Sequence, residues 1–105
     1  MWDFNEYHDL HVGAARLVSQ RVAQLAREMG MTLTTHWHRG REFADMDSYY
    51  LTLDCGVTSL CRHVPDAWLE ALWEQGRDER IDAALREMIA QLREFQARRD
   101  DRAAA

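Results

Sequence analysis

Three short stretches decide the fold: Met31-Thr32-Leu33-Thr34-Thr35-His36-Trp37-His38, then Ser48-Tyr49-Tyr50-Leu51-Thr52-Leu53-Asp54, then Val57-Thr58-Ser59-Leu60-Cys61-Arg62-His63. In the first, Met31, Leu33, Thr35 and Trp37 alternate with Thr32, Thr34, His36 and His38. In the second, Tyr49, Leu51 and Leu53 alternate with Tyr50, Thr52 and Asp54. A period of two, rich in aromatic and β-branched residues, is the signature of a half-buried strand. Cys55-Gly56 reads as a tight turn joining the second and third strands. With these as the two turn residues, Leu51 faces Leu60 and Tyr50 faces Cys61.

Outward from this centre the period changes to that of a helix. Residues 8–29 carry Ala15, Val18, Val22, Leu25 and Met29 at spacings of three and four. Asn5 is the expected N-cap and Gly30 the C′ residue that ends the helix. Gly13 weakens its first turns. On the other side, Pro65 suits the first turn of a second helix with Trp68, Leu69, Leu72 and Trp73 on its apolar side, and Gly76 ends it. A third helix starts near Asp78 and runs to about Arg98, with Ile81, Leu85, Met88, Leu92 and Phe95 as its stripe. The expected fold is α+β in the order α-β-β-β-α-α. A three-stranded antiparallel meander packs the face with Leu33, Trp37, Leu51, Leu53 and Leu60 against helices on one side. Residues 1–98 form one domain, and residues 99–105 form a frayed charged and alanine-rich tail.

The 105 residues suffice for one core. Thirteen basic residues against 18 acidic give a net charge of −5, and a basic stripe is missing, so direct nucleic-acid binding is not expected. No stretch is apolar enough to span a membrane. Every basic residue is arginine, and Asn5 is the only asparagine. That usage follows from GC-rich coding and points to a high-GC bacterium, or to a phage or mobile element living in one. Two cysteines and an N-terminus without a basic, apolar leader indicate a cytoplasmic protein with reduced thiols.

Two constellations bear on chemistry. His36 and His38 on the first strand, with Cys61 and His63 on the third, share the sheet face that carries Tyr50 and Thr52. His and Cys are zinc ligands, so this face is the candidate metal site, against the plainer reading of an exposed polar face. His8 and His11, three apart near Glu6, lack a matching pair on a second helix and read as a solvated helix start. Cys61 with His63, or Cys55 with His36, lacks the orienting group and oxyanion site of a nucleophilic enzyme. The second constellation is aromatic and charged. Trp68 and Trp73 are five apart, so one helix cannot bury both equally. Trp2, Phe4 and Tyr7 lie in an acidic N-terminal arm, and Arg39, Arg41, Glu42, Asp45 and Asp47 in a charged loop that Phe43 and Met46 pin to the core. Trp, Tyr and Arg are the residues most enriched at binding hot spots. With Trp73, these are the candidate partner-binding residues.

The resulting expectation is a non-enzymatic, cofactor-free module, monomer or homodimer. It acts as a stoichiometric inhibitor or adaptor on a larger bacterial protein, and an anti-defence (anti-CRISPR-like) protein is its most specific form. The alternative is a zinc-binding regulatory module built on His36, His38, Cys61 and His63.

Overall fold

The computed structural model describes residues 4–39 and 48–104, with side chains described over 11–38 and 49–100. Its elements are α1 (Phe4–Glu28), β1 (Thr34–Arg39), β2 (Ser48–Asp54), β3 (Ser59–Pro65), α2 (Asp66–Gln75) and α3 (Glu79–Ala104). The strands form an antiparallel meander in the order β1-β2-β3. This is the expected α+β architecture, and no helix among the described residues is long and apolar enough to cross a membrane.

Gly30 closes α1 as its pattern requires. With φ at 68° it donates its N–H to Arg27 O at 3.1 Å, while Met31 donates to Ala26 O at 2.8 Å. These two bonds make a Schellman cap. The cap commits the Met31 N–H to the helix, and β2 ends at Asp54, the partner of Thr34. Both facts delay β1 to Thr34, although the alternating pattern begins at Met31. At the other end α1 begins at Phe4, so Asn5 lies in its first turn and does not cap it.

The β2–β3 connection corrects a second expectation. Asp54 pairs with Ser59, Leu53 with Leu60, Leu51 with Arg62 and Tyr50 with His63. The loop is therefore residues 55–58, and Leu51 and Tyr50 do not face Leu60 and Cys61. The Asp54 carboxylate accepts the Gly56 N–H at 2.6 Å, and the Cys55 N–H donates to Thr58 O at 3.1 Å. A two-residue type I′ turn needs positive φ at both central residues. Gly56 has it, at 89°, but no non-glycine among the described residues does. The side-chain capture by Asp54 gives the wider loop instead. The slip is two residues, so each side chain keeps its expected face.

Leu51 and Leu53 are buried beneath the helices, with Trp37, Tyr49 and Leu60 partly buried around them. α1 supplies Ala14, Val18, Val22, Leu25 and Ala26, so Ala14 takes the core position and Ala15 is only half-buried. α2 supplies Leu69 and Leu72, and α3 supplies Ile81, Leu85, Met88, Ile89 and Leu92. Pro65 sits at the N-cap of α2 and Gly76, at φ 76°, returns its N–H to Leu72 O at 2.8 Å. α3 continues to Ala104, past the expected end at Arg98. Its buried stripe stops at Leu92, and Phe95 stands 48% exposed, not in the core.

Candidate functional site

Two surfaces carry the residues of interest. The first is the sheet face turned away from the helices. Pairing places His36, Thr52 and Cys61 in one cross-strand row and His38, Tyr50 and His63 in the next. His36, His38, Cys61 and His63 are all exposed. The imidazole of His38 stacks on the Tyr50 ring, with centroids 5.8 Å apart and planes 9° apart. On the other side His63 lies 5.4 Å from the same ring at a tilt. Thr52 is small, so beside it His38 Nε2 comes within 4.0 Å of Cys61 Sγ. The face thus joins Cys61 to His38 rather than to His63. Cys55 turns away, with its thiol donating to Thr58 O at 3.4 Å. Among the described residues no three His, Cys, Asp or Glu side chains are grouped so that they could hold a metal ion.

The second surface is built around Trp73. Leu69 and Leu72 take the buried side of α2, Trp68 is partly buried, and Trp73 is left 49% exposed. The Trp68 ring carries the Arg80 guanidinium 5.5 Å from its centroid. Trp73 reaches across to α1 and seats on Gly13. A Cβ there would lie 2.3 Å from Cζ3, 2.8 Å from Cη2 and 3.0 Å from Cε3 of the indole. No side chain other than hydrogen fits under this ring in its present place. Gly13 therefore weakens the helix locally but allows the indole to lie flush against α1.

The α1 face beside this contact also holds His11, which is buried and not part of a solvated helix start. Its Nδ1 is 3.1 Å from the Tyr49 hydroxyl, the rings meet edge to face at 5.0 Å, and its Nε2 is 3.8 Å from Glu70 Oε1. His11 joins α1, β2 and α2 in one polar node. A second node lies further along α1. The Trp37 indole N–H donates to Ser19 Oγ at 3.3 Å, and Ser19 Oγ is 3.2 Å from Thr35 Oγ1. Arg21 ties α1 to α3 by a two-pronged bridge to Asp82, at 3.1 and 2.9 Å, and this hydrogen-bonded pairing raises the pKa of its guanidinium.

Of the other candidate residues, Arg39 ends β1 and does not lie in a loop. Phe4 and Tyr7 lie in the first turns of α1, so the N-terminal arm is helical from Phe4 onward. Trp2, and the loop candidates Arg41, Glu42, Asp45 and Asp47 with Phe43 and Met46, fall outside the described residues. Sequence reasoning missed Gly13 as the seat of Trp73 and His11 as a core residue. His11 had a legible signal: it extends the Ala14, Val18, Val22, Leu25 stripe by one further step of three. Gly13 had only its own oddity in a helix. Comparison with protein-family models, curated proteins and solved structures finds no match to this chain.

Proposed function

We propose that this chain is a non-enzymatic protein-binding module that occupies a surface of a larger bacterial protein, with Trp73 as its anchor. The observation that carries this reading is the seating of Trp73 on Gly13: a half-exposed indole held against a helix with no room to settle inward. A fixed aromatic loses little side-chain freedom on binding, and buried tryptophans dominate interface energetics. The net charge of −5 complements a basic target surface. The finer form of the proposal is a stoichiometric inhibitor or adaptor encoded by a phage or mobile element of a high-GC host, with an anti-defence role.

Affinity capture from a high-GC bacterial lysate, run in parallel with wild type and Trp73→Ala, tests it. The expected result is a protein retained in about equimolar amount by wild type and lost by the variant, with far-UV circular dichroism unchanged. Equal retention by the two would remove Trp73 from the interface. A Cys55→Ser, Cys61→Ser double variant keeps partner binding, whereas an enzyme dependent on either thiol would lose its activity.

A further inference from the structure

We infer that the cleft bounded by α1, the end of α2 and the start of α3 is a binding site for a free aliphatic carboxylate of medium chain length. The cleft has a volume of about 430 Å³. That is more than one side chain fills and lies within the roughly 300–1,000 Å³ of small-molecule sites. Leu17 of α1 and Leu72 of α2 line it, together with Arg21, Gln24, Arg77 and Asp82. Leu72 is buried and Leu17 half-buried, so apolar surface and polar groups share one cleft. The inference is independent of the role given to Trp73.

The hydrogen bonds of the cleft identify the occupant. Arg21 donates from Nε and Nη2 to the two Asp82 carboxylate oxygens, at 3.1 and 2.9 Å, and from Nη1 to Gln24 Oε1 at 3.0 Å. Arg21 and Asp82 thereby neutralise each other, and Gln24, its carbonyl taken, has amide N–H groups to offer. Gln20 adds an amide that can donate or accept. Arg77 brings a second guanidinium, which is exposed and takes part in none of the ion pairs among the described residues. The balance is a surplus of donors and one positive charge, and a carboxylate answers both, fitting the planar fork of a guanidinium two-pronged. The carbonyl end of α2, at Gly76, opposes an anion, but a helix end carries only about half a charge against the whole charge of Arg77. The net charge of −5 acts from further off and is screened beyond about 8–10 Å in physiological salt. The two leucines call for an aliphatic stem, which buries against them as a bare inorganic anion cannot.

Octanoate is the probe, with butyrate, octylamine and octanol for comparison. Each is titrated, below any micelle-forming concentration, into the isotope-labelled full chain, and amide shifts are followed by NMR. The expected result with octanoate is a saturable one-to-one response at Leu17, Gln24, Leu72 and Arg77, with Kd below about 1 mM. Butyrate, four methylenes shorter, binds at least about 10-fold more weakly. Octylamine and octanol, which keep the chain and lack the carboxylate, also bind at least about 10-fold more weakly. Arg77→Gln, with circular dichroism unchanged, weakens octanoate by about 10-fold and leaves octanol unaffected. No response at about 10 mM octanoate, or non-saturating shifts centred on the exposed apolar residues Val12, Trp73 and Phe95, would overturn the inference. So would equal binding of octylamine, or an Arg77→Gln variant that keeps the full preference for octanoate over octanol. The comparison of octanoate with octylamine on the wild type decides the sign of the charge without any variant.

Discussion

Replacing Gly13 by alanine sets two opposed effects against each other, and the structure fixes their signs. Alanine is the better helix former by about 0.5–1 kcal/mol, and Gly13 lies well inside α1. Against this, the new Cβ would sit 2.3 Å from Trp73 Cζ3, so the indole must leave its seat. Trp73 is 49% exposed. An aromatic side chain can bury about 150–250 Å², so roughly half of that area is covered here, and losing all of it would cost at most about 3 kcal/mol. The ring can swing partly outward, which holds the net change to a destabilisation of about 1 kcal/mol. The decisive quantity is the coupling. In a Trp73→Ala background the clash is gone, and Gly13→Ala should stabilise by about 0.5–1 kcal/mol. Urea unfolding of the wild type, both single variants and the double variant, followed by far-UV circular dichroism, measures the cycle. A reversal of sign between the two backgrounds is expected. The same effect of Gly13→Ala in both backgrounds would refute the seating of the indole on Gly13.

Other outcomes follow from the charged groups that hold the helices. Asp78 caps α3, accepting the N–H groups of Arg80 at 3.0 Å and Ile81 at 3.1 Å. The Arg80 side chain, aided by these backbone bonds, holds its carboxyl below the usual aspartate range. A lowered folded-state pKa stabilises the fold above about pH 4 and is lost as pH falls further. Asp78→Asn, which keeps a capping oxygen, should therefore flatten the fall in urea midpoint between about pH 6 and pH 3, while Asp78→Ala costs about 1 kcal/mol at neutral pH. Arg21 and Asp82 are partly exposed, at 29% and 38%. A double-mutant cycle on the pair should give about 0.5–1 kcal/mol, reduced by salt.

The alternation of Tyr49, Leu51 and Leu53 made β2 readable to the residue, because one face is buried and a one-residue slip would invert it. Pro65 and Gly76 marked both ends of α2, because proline lacks the N–H that a helix interior donates and glycine takes the left-handed φ, here 76°, that closes a helix. The β2–β3 register was not legible. It depends on whether a local side chain captures the turn, and the Asp54 carboxylate does so. The end of the buried stripe on α3 was not legible either, since Phe95 keeps the helical spacing of the stripe and yet stands 48% exposed. The sharing of one face by His36, His38, Cys61 and His63 followed from strand parity alone. The meeting of His38 with Cys61 needed the register and the small Thr52 between them. The seating of Trp73 on Gly13 is a contact between α2 and α1, and no periodicity within either helix encodes it.

Calorimetric titration of the captured partner with wild type and with Trp73→Ala measures how much of the binding energy the indole carries. Saturation at about one chain per partner is expected, with a loss of about 2 kcal/mol or more for the variant, equivalent to about 30-fold in Kd. Unchanged affinity of the folded variant, or an effect on the partner that turns over at substoichiometric amounts of this chain, would contradict this expectation.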